Sequence, residues 1–129
     1  MLRTAKRPVV LAGGDVINSG ATLALERFAK RLGAPVIVTR LGKGCLAADH
    51  PLNVGNSRHK RARAVLAAAD ALIAVGTRFT QIDTANWHLH IPACFIQIDR
   101  DPAGIGREIP VTAGLAGDLT QSMDLLIQL

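Results

Sequence analysis

The chain has 129 residues, of which 49% are hydrophobic and only 3% aromatic, with no tyrosine and a formal charge of +5 from 15 basic and 10 acidic side chains. That length suits one domain able to bury a core without metal or disulfide support, and the core it builds must be aliphatic and alanine-rich. A disulfide framework is excluded because Cys45 and Cys94 are the only cysteines, and a membrane span is excluded because no apolar run approaches the ~20 residues one needs.

Pro8-Val9-Val10-Leu11-Ala12 is a short continuous apolar run closed by Gly13-Gly14, the pattern of a strand buried on both faces. Asn18 or Ser19 is the expected cap of a helix carrying Ala21, Leu25, Phe28, Ala29 and Leu32 on one face, with Gly33 ending it. Pro35-Val36-Ile37-Val38-Thr39 predicts a second buried strand. The stretch from Arg40 to Arg58 is longer than ordinary connections, which marks either a functional loop or a hidden short element, and Pro51–Gly55 is where a sixth strand would fit.

Lys60 to Ala69 reads as a helix with Ala62, Val65, Leu66 and Ala69 inward. The charge excess gathers at its start, in Arg58-His59-Lys60-Arg61 and Arg63; a solvated helix face is the expected reading, and the missing aromatics argue against a nucleic-acid partner. Ala71-Leu72-Ile73-Ala74-Val75 predicts a third strand and Ala93 to Ile98 a fourth, with the segment around Trp87 between them left unassigned. Val111 to Leu115 gives a weaker fifth strand, and Asp118 caps a last helix with Leu119, Met123, Leu126 and Ile127 on one side. Strands apolar throughout, alternating with helices, predict an α/β fold with a parallel sheet covered on both faces. Residues Leu2 to Arg7 resemble the tail of a helix, and the chain stops directly after one, so excision from a longer protein is expected, with an apolar patch left by lost neighbours.

An ordered set of short motifs runs along this frame: Ala5-Lys6-Arg7-Pro8, Leu11-Ala12-Gly13-Gly14, Leu41-Gly42-Lys43-Gly44, Asp49-His50-Pro51-Leu52, Ala69-Asp70-Ala71 and Val75-Gly76-Thr77-Arg78-Phe79. Ile96-Gln97-Ile98-Asp99-Arg100-Asp101-Pro102-Ala103-Gly104-Ile105-Gly106 and Gly117-Asp118 complete it. From about residue 5 to residue 129 the set resembles the central domain of thiamine diphosphate-dependent enzymes of the acetolactate synthase and decarboxylase class. The resemblance implies a Rossmann-like open parallel sheet of five to six strands, as a single domain over residues 1–129. It also implies a parent lyase or transferase acting on 2-keto acids or acyl-CoA.

In that family thiamine diphosphate and Mg²⁺ are held by flanking domains, through a Glu and a Gly-Asp-Gly motif with a trailing Asn. The only Gly-Asp pairs here, Gly14-Asp15 and Gly117-Asp118, lack the trailing Gly, so this chain alone is expected to be non-catalytic. Its partners would be the neighbouring catalytic domains and, in the full enzyme, further copies of the chain, in the cytoplasm and away from any membrane. The alternative is a binding module, because relatives in the family hold FAD or ADP in the sheet crevice.

Six residues are the candidates for such a ligand. Gly13 and Gly14 would let backbone N–H groups approach a pyrophosphate, or serve only as a tight turn. Lys43 would meet a phosphate or an acidic neighbour, and Arg78 matches a family arginine that contacts the flavin nucleotide. Asp99 would accept from a ribose hydroxyl, or else satisfy loop N–H groups beside Asp101, which caps a Pro-initiated turn. Asp118 is a helix cap first, though the family's Gly-Asp lies near the adenine. Two departures weigh against a flavin: the basic Asn56-Ser57-Arg58-His59-Lys60 replaces a Gly-rich segment, and Thr80-Gln81-Ile82-Asp83-Thr84 replaces an acidic one. His88, His90, His50 and Cys94 complete no zinc pattern, and no Gly-x-Ser-x-Gly elbow is present, so neither metal binding nor an independent hydrolase is expected.

Overall fold

The computed structural model describes residues 1–79 and 89–129. Trp87, His88 and the Thr80–Thr84 departure lie outside the described residues. The elements are β1 (Pro8–Ala12), α1 (Gly14–Asn18), α2 (Thr22–Leu32), β2 (Val36–Val38), β3 (Asn53–Asn56), α3 (Lys60–Ala67), β4 (Ala71–Val75), β5 (Cys94–Asp99), β6 (Ala113–Ala116) and α4 (Leu119–Gln128). Short 3-10 turns cover Leu2–Thr4 and Pro102–Gly104.

One sheet of six strands runs in the order β3-β2-β1-β4-β5-β6, and every pairing is parallel. All five residues of β1 and all five of β4 are buried, which is why their sequences show no polar alternation. Val10 lies opposite Val36 of β2 on one side and Ile73 of β4 on the other. The chain leaves β1 first towards β2 and β3, then returns to lay β4 on its other side. That reversal creates a crevice beyond the carboxyl ends of β1 and β4, the place where open α/β sheets meet ligands.

Two hydrophobic clusters divide along the strand alternation. Val10, Ile73 and Ile98 point to the face covered by α2 and α4, where Leu25, Phe28 and Met123 are buried. Leu11, Leu72 and Phe95 point to the opposite face, against Ala62 and Leu66 of α3 and the ring of Phe79. The expected Rossmann-like α/β sheet with helices on both faces is therefore present.

The differences are local and have physical reasons. The helix expected from Ala21 is preceded by a separate short one, so Asn18 ends α1 and Ser19 is its C-cap; neither caps α2, whose N-cap is Ala21 with no side-chain hydrogen bond. The Ser19 hydroxyl instead donates back to the Asp15 carbonyl at 2.6 Å. Gly33 ends α2 at φ +62, as the sequence implies. The sixth strand is real but lies at Asn53–Asn56, at the sheet edge, where a bulge sets Asn53 opposite Val36 and Gly55 opposite Ile37. Its polar sequence hides it, because an edge strand need not be apolar on both faces. Cys45 is buried, whereas Cys94 at the start of β5 is only half-buried.

Entry into the sheet is fixed by Asp70. Its carboxylate accepts from the backbone N–H of Lys6 at 2.7 Å and of Arg7 at 2.9 Å, tying the approach to β1 beside the start of β4. Those two hydrogen bonds, Lys6 first, hold the Asp70 carboxyl below its ordinary pKa. A carboxyl depressed on folding contributes stability above its unfolded value of about 4, and loses it as pH falls through the lower folded value. Asp70→Asn is accordingly expected to flatten the acid limb of the stability curve below about pH 4 while lowering stability at neutral pH, as urea titrations across pH would read.

Candidate functional site

The crevice is assembled from the ends of β1, β2 and β4. After β1 the chain turns sharply at Gly13, whose N–H donates to the Val75 carbonyl at 2.9 Å; the Asp15 N–H donates to the Gly76 carbonyl at 3.2 Å. A Cβ on Gly13 would fall on the Gly76 carbonyl oxygen, so only glycine permits this approach of the two backbones. After β2, the Thr39 N–H donates to the Ala12 carbonyl at 2.9 Å, and the Thr39 hydroxyl oxygen accepts from the Gly42 N–H at 3.2 Å. Gly42 presses on the Ala12 carbonyl, leaving no room for a side chain there.

Beyond β4, Arg78 turns outward and Phe79 inward. Phe79 holds φ +52, a left-handed conformation that costs a non-glycine residue of order 1 kcal/mol or more. Burial of its ring offsets that cost: Phe79 packs edge-on against Phe95 with centroids 5.5 Å apart and planes at 85°. The consequence is that Thr77 and Arg78 are held at the crevice.

The resulting cleft has a volume of about 140 Å³ and is lined by Gly14, Asp15, Asn18, Thr39, Leu41, Gly76, Thr77 and Arg78. Arg78 is exposed and has no hydrogen-bond or ion-pair partner among the described residues. The Asp15 carboxylate is largely covered and accepts from the Arg100 guanidinium, which reaches across from the end of β5, at 3.3 Å.

Of the six sequence-derived candidates, Gly14 and Arg78 line this cleft, while Gly13 is buried beneath it. Lys43 is exposed in the following turn and is not part of the lining. Asp99 is buried at the end of β5, where its Oδ1 accepts from the Asp101 N–H at 2.9 Å; Asp101 in turn accepts from the Ala103 N–H at 2.9 Å. Asp118 is the N-cap of α4 and accepts from the Gln121 N–H at 2.8 Å. Asp15, Asn18, Thr39, Leu41 and Thr77 were not anticipated. The signal for them is their place within a few residues of a strand's carboxyl end, at the strands that flank the reversal.

Among the described residues no three His, Cys, Asp or Glu side chains come together to hold a metal ion. The two Gly-Asp pairs are committed elsewhere, Asp15 to Arg100 and Asp118 to its helix. These residues do not fit thiamine diphosphate with Mg²⁺. A nucleotide diphosphate fits poorly too, because the Gly13 and Asp15 amides already serve β4 carbonyls and α1 is only five residues long. The Asp15 carboxylate adds a negative charge where a phosphate would lie. On the far side of the 42–45 turn, burial pushes the Cys45 thiol up to about 11, so it stays protonated and unreactive at neutral pH. His50 accepts from the Leu52 N–H at 3.1 Å and sits 3.5 Å from Glu26.

The model of the family "Thiamine pyrophosphate enzyme, central domain" matches residues 1–126. The chain belongs to this family. It is 40% identical to a probable acetolactate synthase large subunit of Methanocaldococcus jannaschii, an alignment covering 100% of the chain and 23% of that protein. It is 35% identical to the glyoxylate carboligase of Escherichia coli O157:H7, covering 99% and 22%. Among solved structures, a putative thiamin diphosphate-dependent enzyme from Mycobacterium smegmatis superposes with a TM-score of 0.77 at 26% identity, over 98% of the chain and 25% of that structure. The chain thus spans less than a quarter of the length of these curated relatives.

The contact under the cleft makes a direct prediction for this central domain. Gly13→Ala is expected to lower stability by about 1–3 kcal/mol, because β1 and β4 must move apart to admit the methyl group. Chemical denaturation of the two proteins side by side checks it.

Proposed function

We propose that this chain is the non-catalytic central domain of a longer enzyme that uses thiamine diphosphate and Mg²⁺ on 2-keto acids or acyl-CoA. Its work is to space and dock the two catalytic domains, within a cytoplasmic homo-oligomer. The observation that carries this reading is the pairing of two facts. The chain matches a central-domain family over nearly its whole length, and among the described residues no three His, Cys, Asp or Glu side chains come together to hold a metal ion. Thiamine diphosphate supplies a carbanion nucleophile when bound in such an enzyme. This chain's residues contribute a rigid slab and an apolar rim: Leu41 and Leu23 are large, exposed side chains on either side of the turn that carries Lys43. Apolar groups of that size in solvent are suited to burial against a neighbour.

The reading that a FAD or ADP-type nucleotide occupies the crevice finds less support, since the Gly13 and Asp15 amides already serve the Val75 and Gly76 carbonyls and the cleft measures only about 140 Å³. Supplied with thiamine diphosphate, Mg²⁺ and pyruvate, the chain alone is expected to give no CO₂ release above background. Leu23→Asp, placed in the full-length parent enzyme, is expected to lower activity about ten-fold through weakened docking while leaving this domain's own melting temperature within about 2 °C. Thiamine-dependent turnover by the isolated chain would contradict the proposal, and so would an unchanged parent enzyme.

A further inference from the structure

The positive charge of this chain is gathered on one helix. Arg58, Lys60, Arg61 and Arg63, at and just before the start of α3, are all exposed. Taking these four from the 15 basic side chains leaves 11 against 10 acidic ones, so four of the five excess charges sit here. No acidic residue occurs between Asp49 and Asp70. The Asp70 carboxylate is already given to the Lys6 and Arg7 N–H groups. The segment 80–88 contributes one acid to the sequence, Asp83, which is too little to balance four cations.

The cations are also placed against the local energetics of the helix. A helix start carries partial positive charge and favours acidic side chains, yet the first turn of α3 has none, and its N-cap His59 makes no side-chain cap. Lys60 and Arg63 stand three residues apart on the helix, a like-charge pair that repels itself. Arg7 shows the favourable arrangement: its guanidinium donates to the Ala68 carbonyl at 2.6 Å, at the carboxyl end of the same helix. On the other face of the sheet α2 and α4 match cations to acids, Lys30 to Glu26 and Arg27 to Asp124. A surface that only keeps a helix in water has no need of such one-sided charge. Local choices that oppose folding collect at functional surfaces.

Chemistry selects the partner. Nucleic acid would want stacking aromatics, and residues 53–69 hold no Phe, Tyr or Trp. A membrane surface would want large apolar groups beside the cations, but Val65 and Leu66 pack towards the sheet and the exposed neighbours are Ala64, Ala67 and Ala68. A second copy of this chain brings no matching acidic patch, since its acids, Asp15, Glu26, Asp70, Asp99 and Asp124 among them, are engaged within the fold. We infer that the exposed side of α3 docks an acidic protein segment that is not part of this chain. Its Asp and Glu carboxylates take Arg58, Lys60, Arg61 and Arg63, and the small alanines let it approach closely. This surface lies across the sheet from α2 and its Leu23, so the inference does not rest on the apolar rim.

The test is a titration of the isotopically labelled 129-residue chain, followed by amide resonances. The probe is a peptide of about twelve residues alternating Glu and Ala, long enough to span α3. Its Gln-Ala counterpart, a single-stranded deoxyoligonucleotide of equal length and phosphatidylserine vesicles are run alongside. The expected result is saturable shifts at Lys60, Arg61 and Ala64 with the Glu peptide and none with the Gln peptide. Binding should weaken about ten-fold as salt rises from about 50 to about 300 mM. The oligonucleotide and the vesicles are expected to bind at least about ten-fold more weakly than the Glu peptide. Lys60→Glu combined with Arg61→Glu is expected to weaken peptide binding about ten-fold or more while keeping or raising the melting temperature, because acids suit a helix start. Leu23→Asp should leave binding unchanged. Equal or tighter binding of the oligonucleotide or the vesicles would overturn the inference in favour of that partner. No saturable shift with the Glu peptide, or a lower melting temperature in the double variant, would overturn it and leave the cations as part of the helix alone.

Discussion

The carboxyl edge of this sheet depends on one backbone contact, the approach of Gly13 to the end of β4. Two neighbouring parallel strands must separate at the point where the chain reverses direction, and that separation normally opens the ligand crevice. Here the Gly13 and Asp15 amides close part of the gap by bonding the Val75 and Gly76 carbonyls. The loop after β2 then folds over the same place, with Gly42 against the Ala12 carbonyl. The crevice that remains is shallow and polar, bounded by side chains more than by free backbone donors. Among the described residues, the Gly13 and Asp15 amides are thereby turned to strand-end carbonyls and away from the crevice.

The long signature after β5 has a similar explanation. Gln97 is buried, and its side chain donates to the Gly104 carbonyl at 3.1 Å and accepts from the Gly106 N–H at 2.9 Å. Asp99 and Asp101 hold the intervening turn through successive N–H groups, and Pro102 opens it. Ile105 packs where a Cβ on Gly114 would lie, so the glycine in β6 admits the loop against the sheet edge. Buried polar side chains that satisfy a loop's backbone are costly to replace, since each loss strands a donor or acceptor out of water. In this structure the motif's acidic and amide residues hold a loop closed, and each of these side chains has a named backbone partner.

Much of the fold was readable from the residues. β1 and β4 declare themselves because a strand buried on both faces has no room for a polar side chain, and Gly33 and Asp118 mark their helix ends through local backbone chemistry. β3 was harder to place, since Asn53-Val54-Gly55-Asn56 is an edge strand with a bulge and carries no such pattern. α1 went unseen because five residues supply too little periodicity. The site was read less well than the fold. Arg78 and Gly14 stood out by motif, but Asp15, Thr39 and Thr77 come together only when β1, β2 and β4 are laid side by side, a relation that spacing along the chain does not encode. Asp99, attractive as an acid at a strand end, turns out to be occupied by its own loop.

The shape of the crevice rests on the loop after β1 being bonded to the end of β4 rather than open to a phosphate. Hydrogen exchange of the Gly13 and Asp15 amides, with and without ADP, tests that most directly. Bonded to Val75 and Gly76, both should exchange as slowly as the amides of β1 itself, and ADP should change neither rate. Fast exchange in the free chain, or protection that appears only when the nucleotide is added, would contradict it.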